Sequence, residues 1–139
     1  MKINVSWREG VHFRADTPDG QGFDLDGPPH AGGRDLGVRP MEAVLAGVAT
    51  CSVYDVVHML EKARASIVSV TVDSEATRVD TIPQVFSSIT LKFSIEASGV
   101  SEAQVRRMVA LSLEKYCSGV EMMRRAGVDV QHELVFRPA

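Results

Sequence analysis

The chain has 139 residues, with 15 Lys and Arg against 18 Asp and Glu and a formal net charge of −3. That length suits one domain whose core needs no disulfide staples. The interspersed charges leave no basic face for a polyanion, which argues against nucleic acid as a partner.

The amino terminus, M-K-I-N-V-S-W, alternates apolar and polar residues and lacks the apolar run and cleavage site of a secretory signal, so a cytoplasmic location is expected. Ile3, Val5 and Trp7, the turn R-E-G, and then Val11, Phe13 and Ala15 predict a hairpin. Phe23 and Leu25 suggest a third strand. The Gly- and Pro-rich segment 27–39 predicts an ordered loop. Pro40 suits the first turn of a helix running to about Ala63. Strand patterns follow around Ile67 to Val79 and Val85 to Ala97. Ser101 and Gln104 form a capping box for a helix through about Cys117. A short helix and a strand carrying Val128, Val130, Leu134 and Phe136 complete the order βββ-α-ββ-αα-β, a single α+β domain over residues 1–139.

From Met41 to Leu60 only Glu42, Asp55 and His58 readily carry charge. The length would admit a membrane span, but Asp55 near the middle is costly in lipid, and no membrane association is expected. A helix apolar nearly all round is a central one, covered on several sides. A short chain has little material to cover it, so a homodimer is expected.

Two cysteines in a reducing compartment are free thiols, ligands or redox-active groups before they are a permanent staple. Cys51 shares a helix face with Val44, Val48 and Asp55, with His58 two turns on. The plain reading of such a cysteine is a small inert hydrophobe, and Asp55 as an anion would oppose thiolate formation. Metal binding has weak support, because the two cysteines and four histidines are scattered. No phosphate-binding glycine motif and no G-x-S-x-G is present.

The segments R-P-M-E-A-V-L-A-G-V-A-T-C-S-V-Y-D-V-V, residues 39–57, and L-S-L-E-K-Y-C-S-G-V, residues 111–120, together resemble the OsmC/Ohr family of osmotically inducible and organic hydroperoxide resistance proteins. The resemblance covers nearly the whole chain. It implies an OsmC-like fold in an intertwined homodimer, with long central helices crossing in the core and active sites at the subunit interface. It further implies thiol-dependent reduction of organic hydroperoxides, with Cys51 as peroxidatic and Cys117 as resolving cysteine. No bound cofactor is implied; the reductant is an external thiol, a lipoylated protein or a small dithiol.

The Ser118–Gly119 step after Cys117 places that thiol at a helix junction, where a helix amino terminus favours thiolate. In the well-characterised peroxidases a Glu directly follows the helix-starting Pro and acts with a loop Arg on the thiolate. Here Met41 holds that position and Glu42 comes one residue later, about half a turn from Cys51 on an ideal helix. Arg34 and Arg39 are the favoured arginine candidates, with Arg8 a third. The match is closer to a less-characterised OsmC-like branch carrying P-M-E and C-S-x-Y-D. Two other functions fit the same residues. One is a small-ligand-binding cleft lined by Met41, Met59, Met122 and Met123; the other is a slow redox sensor built on the cysteine pair.

Overall fold

The structure, a computed structural model, describes residues 1–139. The chain divides into two compact units, Met1–Val44 and Leu45–Ala139.

The first unit is an antiparallel sheet of β1 (Asn4–Glu9), β2 (His12–Asp16) and β3 (Gly22–Leu25), in that order. Its register sets Val5 against Ala15 and Trp7 against Phe13, and then Phe13 against Leu25 and Ala15 against Phe23. One face is therefore apolar. The other carries Arg14, which donates to Asp16 and Asp24 at 3.0 and 2.8 Å, and His12, 2.8 Å from Asp24. These partners hold Asp24 below the usual carboxylate range, His12 first and Arg14 next. Much of the apolar face is uncovered within one chain: Ile3, Val5 and Trp7 are more than half exposed.

The loop expected over 27–39 is ordered, with a single 3-10 turn at Pro29–Ala31 and a parallel bridge from Val38 to Leu25. Its hub is Asp26, a buried acid whose carboxylate accepts backbone N–H groups of Gly27, Arg34 and Leu36 at 2.7, 3.0 and 3.2 Å. Burial alone would raise its pKa, but these three donors outweigh it and hold the carboxyl below its ordinary value. The backbone of Gly33 passes so close to that of Gly27 that a Cβ at 33 would overlap the Gly27 carbonyl.

The helix α1 (Pro40–Lys62) begins at the end of the first unit and runs through the second. It is long and apolar enough to cross a membrane by length and composition, yet little of it is buried within one chain. Within one chain α1 is covered along one side only. Only Ala49 and the stripe Val48, Ser52, Val56 and Leu60, spaced by four, are buried, while Val44 and Tyr54 are exposed. Met41, Leu45, Val53, Val57 and Met59 are only partly covered.

In the second unit β4 (Ser66–Arg78), β5 (Phe86–Ser98) and β6 (Asp129–Pro138) form a sheet with β5 in the centre, antiparallel to β4 and parallel to β6. Ile89, Leu91, Phe93, Ile95 and Ala97 alternate along β5 and are buried. Phe93 stands between Val72 and Leu134, and Ile95 between Val70 and Phe136. The parallel crossover is made by α2 (Glu102–Leu111) and α3 (Ser118–Arg125), both lying against β6. Ser101 and Gln104 form the expected reciprocal capping box.

Candidate thiol site

The helix expected to run to about Cys117 stops being α-helical at Leu111. Residues Ser112–Tyr116 form one turn of π-helix, closed by the N–H of Cys117 donating to the Ser112 carbonyl at 2.8 Å. Cys117 is extended (φ −72°, ψ 102°) and caps α3: its sulfur accepts the N–H of Val120 at 3.4 Å, and its carbonyl accepts that of Glu121 at 3.1 Å. The guanidinium of Arg124 reaches back to the Leu113 carbonyl at 2.5 Å, fastening the wide turn to α3. Single π turns are uncommon and cluster at functional sites.

Opposite this junction lies the middle of α1. Gly119 rests directly on it: a Cβ at 119 would stand 3.3 Å from the Val48 Cα and 3.5 Å from the Cys51 Cβ. Only the missing side chain permits that approach. The hydroxyl of Ser112 donates to the Ser52 carbonyl at 2.6 Å, and the Ser52 hydroxyl donates to the Ala49 carbonyl at 2.7 Å. The fold thereby brings Cys51 and Cys117 near each other as free thiols, Cys51 half-buried and Cys117 buried.

The expectation that a helix amino terminus makes Cys117 a thiolate is corrected here. Burial pushes its thiol up to about 11, and the neighbouring Cys51 pushes the same way; the N–H groups of Val120 and Gly119 oppose this and lose. The dipole favours the anion by about 0.3–1 kcal/mol in ordinary settings, whereas burial of an unpaired charge costs more. At neutral pH Cys117 is a protonated donor.

The candidates for activating the thiol lie in the first unit, and all but Arg8 have a local partner. Glu42 stands at the third helical position of α1, and its carboxylate accepts the backbone N–H of Arg39 at 2.9 Å, half of a capping box. Arg39 pairs with Asp35 and donates to the Gly37 carbonyl at 3.2 Å. Arg34 pairs with Glu9, and Arg8 is exposed. In the second unit, His58 is taken up by an edge-on contact with Tyr54 and by Glu61. Of the methionines, Met59 shares a groove of about 270 Å³ with Met108 and Leu111, while Met122 is exposed.

Sequence reasoning missed Ser112 and Arg124 at the thiol site and read Gly119 only as part of a helix break. Ser112 did leave a signal, a serine between two leucines in the buried register of a helix.

The chain's relatives agree with this fold. The family model for OsmC-like protein matches residues 32–133. Protein YhfA of Escherichia coli (strain K12) is 36% identical over 132 residues, 95% of each chain. A hypothetical protein from Aquifex aeolicus VF5 superposes with a TM-score of 0.84 at 23% identity, covering 99% of this chain and 96% of that one. A Legionella pneumophila protein described as an organic hydroperoxide resistance protein OsmC gives 0.66 at 22%, covering 96% of each. At such identities the two structures speak for the fold.

Proposed function

The chain belongs to the OsmC-like protein family, and from that premise we propose that it is a thiol-dependent peroxidase reducing organic hydroperoxides, with Cys51 attacking and Cys117 resolving. The observation that carries the reading is the pairing of two free thiols from segments some sixty residues apart, of which the buried one keeps its proton.

The half-buried Cys51 is then the nucleophile, with the protonated Cys117 nearby. Its thiolate attacks the distal oxygen of the hydroperoxide; the O–O bond breaks, an alkoxide leaves and takes up a proton, and Cys51 holds a sulfenic acid. That product is neutral, so the part of the upward push on Cys117 that comes from the Cys51 charge disappears. Burial, the larger effect, remains, so Cys117 gives up its proton only as it attacks, to the hydroxyl group that leaves. It displaces water from the sulfenic acid and forms the disulfide. An external dithiol restores both thiols and leaves as its own disulfide. A cavity of about 360 Å³ beside Cys117, also lined by Lys115, Glu121 and Arg125, gives such a reductant room on that side.

The uncovered apolar faces support a homodimer as the working form. Each Val or Leu left in water forfeits about 1.5–3 kcal/mol, and α1 and β1 together expose several apolar side chains. A second copy of the chain is the partner this reading requires, and a location in a reducing compartment goes with it.

The test is steady-state consumption of cumene, tert-butyl and fatty-acid hydroperoxides with dithiothreitol or dihydrolipoamide. The reading expects turnover that is lost in Cys51→Ser. A wild type that turns over none of these would leave ligand binding or slow redox sensing as the better reading.

A further inference from the structure

Only three polar or charged residues are buried in the chain, Asp26, Ser52 and Ser112. Asp26 organises its loop, and the Ser52 hydroxyl turns back on its own helix. Ser112 is different, because it reaches across. Its hydroxyl donates to the carbonyl of Ser52, the residue that follows Cys51, while its own carbonyl accepts the N–H of Cys117. Two hydrogen bonds, of 2.6 and 2.8 Å, thus link the backbone carriers of the two thiols through one residue.

The link is not needed to satisfy α1. A carbonyl in the middle of an α-helix already accepts the N–H four residues on, so the Ser112 hydroxyl takes a second lone pair. An alanine at 112 would fill almost the same space. A buried hydroxyl is costly unless bonded, and this one is spent on joining the two cysteine-bearing segments.

We infer that Ser112 is a positioning residue for the thiol pair: its hydroxyl holds the π turn, and with it Cys117, at disulfide distance from Cys51. This rests on the reading of Cys51 and Cys117 as a working pair. A disulfide demands a Cβ–Cβ separation near 3.5–4.5 Å, so freedom gained at the junction lowers the effective concentration of one thiol at the other.

The experiment is a redox titration of the folded protein against defined ratios of reduced and oxidised dithiothreitol, for wild type, Ser112→Ala and a core-trimming control, Ile89→Val, in the centre of β5. Disulfide formation in Ser112→Ala is expected to weaken about tenfold, equivalent to about 1.4 kcal/mol. Ile89→Val is expected to stay within twofold of wild type although it also destabilises the core. An unchanged equilibrium in Ser112→Ala overturns the inference, as does an equal shift in Ile89→Val. A wild type that forms no Cys51–Cys117 disulfide at any ratio overturns it too. No hydroperoxide enters this titration, so absence of peroxidase turnover would sink the proposed function without touching this result, and an unchanged equilibrium in Ser112→Ala would leave the proposed function standing.

Discussion

Gly119→Ala separates folding from chemistry at the thiol site. In a helix interior, alanine is favoured over glycine by roughly 0.5–1 kcal/mol, and Gly119 lies in the first turn of α3, so the substitution gains some part of that. Against it, the new Cβ would meet the Val48 Cα at 3.3 Å and the Cys51 Cβ at 3.5 Å, inside or at the edge of the usual carbon–carbon optimum of about 3.5–4.0 Å. The junction must back away from α1 by a few tenths of an ångström. Overall stability should therefore change by less than about 1 kcal/mol, while disulfide closure slows several-fold. Gly119→Val forces a larger displacement. Overpacking of that kind costs about 1–3 kcal/mol, and a misplacement near 1 Å costs a reaction about a hundredfold. The assay is stopped-flow closure of the disulfide after one equivalent of hydroperoxide, with circular dichroism to show that each variant is folded. Closure in folded Gly119→Val as fast as in wild type would refute the idea that the α1–α3 approach sets the distance between the thiols.

Other outcomes follow from the same geometry. Because the folded-state pKa of Cys117 is raised, its burial contributes stability that is complete below the ordinary thiol value of about 8.5 and is lost as pH rises toward about 11; urea melts across that range should fall in wild type and fall less in Cys117→Ala. Asp26 has a depressed pKa, so its contribution is present above the ordinary carboxylate range and lost as pH falls through the lower folded value. Asp26→Asn should accordingly speed amide exchange at Arg34 and Leu36 at neutral pH, and wild type should match it only in acid. Iodoacetamide alkylation of Cys51 should slow severely in one of Arg34→Ala and Arg39→Ala and only modestly in Glu42→Ala; equal rates in all three and wild type would remove these residues from the activation of the thiol.

The element order, the capping box at Ser101 and the start of α1 at Pro40 were legible because each rests on local chemistry: alternation, a serine with a glutamine three residues on, a proline at a first turn. The nearness of Cys51 and Cys117 was legible only through their two flanking motifs, since nothing in the spacing of the two residues says that they approach. The π turn was invisible because a shift from i+4 to i+5 bonding has no compositional mark. It depends on Ser112 finding the Ser52 carbonyl sixty residues away. The charge state of Cys117 went wrong for a related reason: the helix terminus is a local feature, whereas the burial that outweighs it is made by the rest of the fold. Glu42 was hidden as well: with Arg39 rather than a serine or threonine three residues earlier, no sequence signature marks it as accepting the Arg39 N–H.

The central claim is that Cys51 attacks and Cys117 resolves. It is tested most directly by giving Cys117→Ser protein one equivalent of cumene hydroperoxide in the presence of dimedone and locating the adduct by mass spectrometry. The expected result is a single dimedone adduct on Cys51, with Cys51→Ser protein unlabelled at Cys117 under the same conditions. Labelling of Cys117 in Cys51→Ser, with Cys51 left unmodified in Cys117→Ser, would contradict the account.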